Sequence, residues 1–146
     1  ESSWILVGND PKLAKVKCSR AFVLAEMDSL REIYPGAVFF KLSKKNSMSE
    51  DPIERHWKFG KSDWRVMSHY PVLRLLSLLL KGTPETNEGL RAILNATKNN
   101  FAKIKERSNT EIAELLQMPR NEIFISERGQ FPRLNPGIHI FGAVEV

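Results

Sequence analysis

The chain reads as an α+β domain, an antiparallel β-sheet packed around a central buried helical hairpin and followed by further antiparallel strands. Three observations predict it. Apolar runs with a period of two lie at both ends, a leucine-rich run at the helical period lies between them, and Gly- and Pro-containing turns separate the pieces. With 146 residues, 42% of them hydrophobic and 27% charged, residues 1–146 are expected to be one domain with material for one core. The chain starts at Glu1 with neither methionine nor targeting segment, and is expected to be a piece of something longer.

Residues 2–7, SSWILV, read as a strand stopped by Gly8, Asn9, Asp10 and Pro11. Residues 12–33 fit two periods. Val16, Cys18, Phe22 and Leu24 alternate, whereas Leu13, Val16, Val23, Met27 and Leu30 trace a helical stripe. The expectation is a strand over 16–24 and a turn or short helix over 27–33. Tyr34, Pro35 and Gly36 form a turn, with Gly36 free to take φ above zero. Residues 37–42, AVFFKL, form a strand whose adjacent rings, Phe39 and Phe40, point to opposite faces. Residues 43–54 are a long polar loop. A hairpin over 57–59 and 63–68 follows, turning at Gly60, Lys61 and Ser62 with Trp64 and Val66 on one face.

In the stretch 70–82, YPVLRLLSLLLKG, only Arg74, Ser77 and Lys81 interrupt the apolar run after Pro71, which predicts a helix buried on most of its circumference. Pro71 suits its first turn and Gly82 the left-handed residue past its end. The run is too short to span a bilayer. Thr83, Pro84 and Glu85 predict the start of a second helix carrying Leu90, Ile93, Leu94, Thr97 and Phe101, so that Gly82 pivots a helical hairpin. Ser108 and Glu111 match a capping box and predict a separate short helix through Leu116, ended by Pro119. Residues 121–126 read as a strand with Ile123 and Ile125 inward. Turns at Gly129 and at Asn135, Pro136 and Gly137 lead to a last strand over 138–146.

The net charge of +5 attracts phosphates, but the lysines and arginines are scattered rather than clustered. A lone cysteine, Cys18, excludes an internal disulfide, fits a reducing compartment and reads as a small strand residue. His56, His69 and His139 lie far apart with no ligand spacing, which points away from a metal site, a nucleophilic triad or any cofactor. The acceptor pattern Asn95, Ala96, Thr97 falls inside the expected helix and reads as a chance match. Nothing in the sequence argues for catalysis. Trp4, Trp57, Trp64, Tyr34, Phe39, Phe40 and Phe101 stand among basic residues, the composition that stacks a base or holds a cationic ring. Trp64 and Phe39 are expected to fill the core, while Tyr34, at a turn, can project into a cleft.

From residue 70 onward the chain carries LSLLLKGTPETNEGLRAILNAT, then IAELL, EIFISERGQ and GIHIFGAVEV, with a weaker stretch from Ser2 through YPGAVFFKL. In order and spacing these segments resemble the cap-binding domain in the polymerase basic protein two subunit of orthomyxoviruses, as in a divergent, thogotovirus-type member. The resemblance implies a non-catalytic module of a viral RNA-dependent RNA polymerase, excised from a larger subunit. It also implies polymerase subunits and capped RNA as partners, no membrane, a monomeric isolated domain, and residence in the host nucleus and the virion.

In that family a methylated guanine is clamped between two aromatic rings, an acidic side chain holds its edge, and basic or histidine side chains hold the phosphates. By resemblance the first ring falls on Tyr34, a pocket phenylalanine on Phe40, and the second ring near Asn99, with Phe101 two positions later. The acidic position falls on Val38, the phosphate-contacting lysine about His69 or Tyr70, and a loop histidine near Ala113. A missing carboxylate removes on the order of 1.5 to 3 kcal/mol, and a missing ring a further 1 to 3 kcal/mol, roughly. The expectation is a cap-binding-like domain with a degenerate cap site, unless Glu32 or Glu54 is brought in to replace the acid. A working cap binder using Tyr34 and Phe101, an interaction scaffold and generic RNA contact through the lysines are the alternatives.

Overall fold

The computed structural model describes residues 3–10, 16–45, 48–49, 51–82, 86–119, 124–125 and 133–146. Strand β1 (Trp4–Gly8) is followed by helix α1 (Arg20–Ile33), β2 (Val38–Leu42), and the hairpin of β3 (Arg55–Phe59) and β4 (Arg65–Val66). Three helices follow, α2 (Tyr70–Lys81), α3 (Asn87–Leu94) and α4 (Lys98–Leu116), then β5 (Phe124–Ile125), β6 (Arg133–Leu134) and β7 (Ile140–Glu145). The fold is α+β, as expected. Its main sheet has the order β1-β7-β2-β3-β4, while β5 and β6 form a separate ribbon.

The last strand corrects the expected architecture. Instead of adding to a second set of strands, β7 inserts between β1, to which it is antiparallel, and β2, to which it is parallel. Its composition suits this place, because IFGAVE is apolar on both sides and both faces of the sheet are covered there. Asn9 holds its entry: the Asn9 side chain donates to the carbonyl of Ile138 and accepts from Ile140 N at 3.1 Å. Gly142 lies beside Phe40 in the parallel register, and a Cβ there would fall inside the Phe40 ring.

Both sheet faces are covered. On one, Ile5, Val7, Phe40, Trp57, Ile140 and Val144 pack against Val72, Leu73, Leu76 and Leu80 of α2 and Ile112 of α4. On the other, Trp4, Leu6, Phe39, Phe141 and Ala143 pack against Val23 and Met27 of α1. Phe39 and Phe40 thus face opposite layers, as expected. Helix α2 also matches its expected bounds. Its Pro71 is in the first turn, Gly82 follows at φ 79°, and the buried Ser77 hydroxyl donates to the Arg74 carbonyl at 2.8 Å. Its rear, Leu75 and Leu78, is closed by Leu90 and Phe101. The helix therefore has apolar neighbours nearly all round.

Several local expectations are overturned. Residues 20–24, expected to be strand, are helical and run on into the helix expected over 27–33. Ser19 caps them by accepting from Phe22 N at 3.2 Å, and the pairing of Cys18 with Trp4 is an isolated bridge. The helix forms because Val23 and Met27, spaced i and i+4, cover the second sheet face. Gly36 keeps negative φ in its turn; the left-handed glycines among the described residues are Gly60 and Gly82. The helix after Gly82 is two helices. Asn95, at φ 52°, breaks it, and Thr97 recaps by accepting from Asn100 N at 3.2 Å, so the Asn95 acceptor pattern lies in a turn. The expected cap at residues 83–85 lies outside the described residues, and Thr86 caps α3. No helix starts at Ser108. Its hydroxyl donates back to the Ile104 carbonyl at 2.8 Å, and α4 runs on to a left-handed Gln117. Val66, expected to share a face with Trp64, is exposed, whereas Trp64 is half-buried. Ile123, Gly129 and most of the expected 121–126 strand lie outside the described residues.

No helix among the described residues is long and apolar enough to cross a membrane. The fit of Phe40 over Gly142 is open to test by urea unfolding. Gly142→Ala is expected to cost about 1–3 kcal/mol by overpacking. In a Phe40→Leu background the same change is expected to cost less, whereas additive losses would show that the ring is not the obstacle.

Candidate functional site

The three aromatic residues singled out by resemblance do not meet. Phe40 is fully buried on the α2 face of the sheet. Phe101 lies in the first turn of α4, closed in by Leu75, Leu78 and Leu90. Tyr34 is half-buried, its ring centroid 4.5 Å from that of His139 and 5.3 Å from that of Phe141, and its hydroxyl donates to Asp10 at 3.4 Å. It borders a cleft of about 350 Å³ with Ile33, Leu116, Met118 and His139. Leu116 ends α4, fifteen residues from Phe101, so the two rings belong to helix ends about 22 Å apart. Tyr34 reaches a cleft, as its turn position suggested, but no second described ring faces it across a base-wide gap.

The other positions carried over by resemblance are also scattered. Val38 is buried in the sheet and Ala113 in α4, which takes the place of the expected loop. Asn99 is exposed in the first turn of α4. His69 precedes α2, and the Tyr70 ring carries Lys45 at 5.4 Å and Arg55 at 5.9 Å. Glu32 is exposed and pairs with Lys61 at 3.6 Å.

Basic and aromatic groups converge elsewhere, on the α1 face where β2 meets β3. Antiparallel pairing sets Phe39 opposite Lys58 and Lys41 opposite His56, so Phe39, Lys41, His56 and Lys58 share that face. The chain leaving the Gly60 turn lays Trp64 over them. Lys41 Nζ sits 4.2 Å and Lys58 Nζ 4.6 Å from the Trp64 ring centroid. Arg31 and Asp28 of α1 close a pocket of about 140 Å³. The larger groove, about 570 Å³ between the start of α2 and α4, mixes Lys103 and Arg107 with Glu106, Glu111 and Glu114 and has no aromatic wall.

Glu54, at the end of the long loop, anchors one side of this convergence. Arg20 Nη2 donates to both its oxygens at 3.0 Å, Lys41 Nζ lies at 3.0 Å and His56 Nδ1 at 3.9 Å. Burial pushes its carboxyl pKa up, but the hydrogen bonds and charges of Lys41 and Arg20 more than offset this and hold it below the usual glutamate value. Lys58 differs. It is 6% exposed, and burial first, then the charge of Arg31, lowers its ammonium below the usual lysine value, with Asp28 and Asp63 opposing. Among the described residues it has no carboxylate within ion-pairing distance.

Sequence reasoning set Trp64 down as core and Lys41 as one of many scattered lysines. The signal that could have found them is the hairpin register, which stacks Lys58 beside Phe39 and returns Trp64 across both. No family model, no curated protein and no solved structure matches this chain.

The Glu54 cluster predicts an acid limb. With its folded pKa below its ordinary value near 4.5, the carboxylate's stabilisation is present above that value and lost as pH falls through the folded one, because the unfolded chain binds the proton first. Glu54→Gln is expected to cost about 1–3 kcal/mol near neutral pH. Its deficit against the unaltered chain should shrink as denaturation is measured at decreasing pH, and a constant deficit would place the effect in packing rather than charge.

Proposed function

We propose that this chain is a non-catalytic module of a viral RNA-dependent RNA polymerase, built on the plan of the domain that captures capped messenger RNA but with the methylguanine slot degenerate. The observation that carries the reading is the separation of Tyr34, Phe40 and Phe101 into a cleft wall and two closed cores. A base at Tyr34 would have one half-buried ring already packed on His139, and valine where the family's carboxylate would hold the guanine edge. Losing a charged acceptor and one stacking partner together removes on the order of 2.5 to 6 kcal/mol, or roughly two to four decades of affinity. The α+β architecture and the order of segments from residue 70 to the last strand support kinship of plan. On this reading the domain's partners are other polymerase subunits and its compartments are the host nucleus and the virion.

Calorimetric titration with 7-methylguanosine triphosphate and with GTP separates this from a working cap binder. Dissociation constants of about 1 mM or weaker are expected for both, with a methyl preference near unity. Micromolar, methyl-selective binding lost on Tyr34→Ala would overturn the reading.

A further inference from the structure

We propose that the pocket walled by Arg31, Lys41, Lys58 and Trp64 is a phosphate-binding site. Its residues are distinct from the three aromatics discussed above, so it stands or falls apart from cap recognition. Among the described residues its lining brings three cations and one carboxylate to a cavity of about 140 Å³. At a water's share of roughly 30 Å³, that is space for a handful of waters or one tetrahedral anion.

Two features separate this cluster from ordinary surface lysines. Lys58 is buried at 6% exposure in the middle of a sheet strand, where a solvated lysine has no reason to be. Its ammonium instead lies over the Trp64 ring, sharing it with Lys41. Lys41 already has Glu54 at 3.0 Å, so it is Lys58, with no carboxylate at ion-pairing distance among the described residues, that an anion in the pocket would satisfy. The second feature is Arg31 Nε. It is buried and has no hydrogen-bond partner, while the Arg31 fork reaches Asp28 only at 3.7 Å. The guanidinium lines the pocket with its fork only loosely held by Asp28, so a phosphate oxygen in the pocket has donors within its reach.

The neighbouring charges set the polarity of the site. Glu54 is engaged by Arg20 and Lys41, and Asp28, the one carboxylate in the lining, reaches Arg31 at 3.7 Å, so Lys41, Lys58 and Arg31 outnumber it around the cavity. Trp64 is half-buried, so part of its ring stays within reach of a base beside the bound phosphate. This favours the backbone phosphate of a single-stranded nucleic acid over free phosphate as the source.

The test follows the Trp64 indole N–H resonance of the intact chain at constant ionic strength, titrating inorganic phosphate in one arm and a short single-stranded RNA in the other. Trp4 and Trp57, both buried, serve as internal references. The expected result is a saturable shift at Trp64. A shift with RNA alone assigns the site to nucleic acid, with phosphate alone to the free ion, and with both to the phosphate group itself, each supporting the proposal. Lys58→Met is expected to weaken RNA binding about tenfold or more with no fall in thermal midpoint, since no ion pair is lost. Lys98→Gln, a charge removed from the exposed start of α4, is expected to change it less than about twofold. Should Lys58→Met not fold, Arg31→Gln at the pocket's outer wall gives the same reading. An unmoved Trp64 signal in both arms, or equal losses from the pocket and Lys98 variants, overturns the proposal.

Discussion

Three neighbouring strands of this sheet, β1, β7 and β2, are apolar on both sides, and neither side can be left in water. Phe39 and Phe40 on β2, Phe141 and Ile140 on β7, and Leu6 and Ile5 on β1 each put large side chains on opposite faces. Covering both requires helices on both, which turns residues 20–33 into α1 and lays α2 across the other face. The constraint then propagates outward. Helix α2 is too apolar to have a wet side, so α3 and α4 are drawn over it, and Phe101 and Leu90 become its outer cover. Removing a methyl-sized piece from such a stack leaves a void with few ways to collapse.

The same constraint explains where the charge collects. Helix α1 packs on β1 and β7, so its apolar cover runs out toward β3. The row of Phe141 and Phe39 is continued there by Lys58, and the next row on the same face, from Ala143, by Lys41. Their stems lie along the buried surface, and their ammonium groups meet Trp64 and, on one side only, Glu54. The Glu54 half is structural, with Arg20 and Lys41 sharing one carboxylate. The Lys58 half keeps a surplus of positive charge in a partly dry pocket, where an added anion is worth more than it would be on an open surface.

Helix α2 was legible because its evidence is local: an unbroken leucine run, Pro71 at the start and Gly82 at the end. So were the opposite orientations of Phe39 and Phe40, the Gly60 hairpin and the turn at Asn135. Residues 16–24 misled because Val16 and Cys18 do alternate, and Cys18 does pair with Trp4, before Ser19 caps a helix. Ser108 misled because a hydroxyl can bond the carbonyl four residues back as readily as it caps, and only the seating of α4, with Ile104 half-buried and Ser108 and Ile112 fully buried along one stripe, decides between them. Of the candidate ligand residues, Tyr34 at its turn was placed at a cleft, whereas Phe40 and Phe101 were claimed by the core.

What the sequence by itself determined is the set of elements whose signals lie within a turn of helix or a strand's alternation: the α+β class, the buried helix, and which rings are large enough to need cover. What only the tertiary structure decided is which strand lies beside which. The central place of β7 depends on pairing with residues a hundred or more positions away, and the convergence of Lys41, Lys58, Arg31 and Trp64 depends on strand register together with the seating of α1. Such placements are set by the burial of whole faces rather than by local preference, because a one-residue slip in register exchanges every side chain between the two layers.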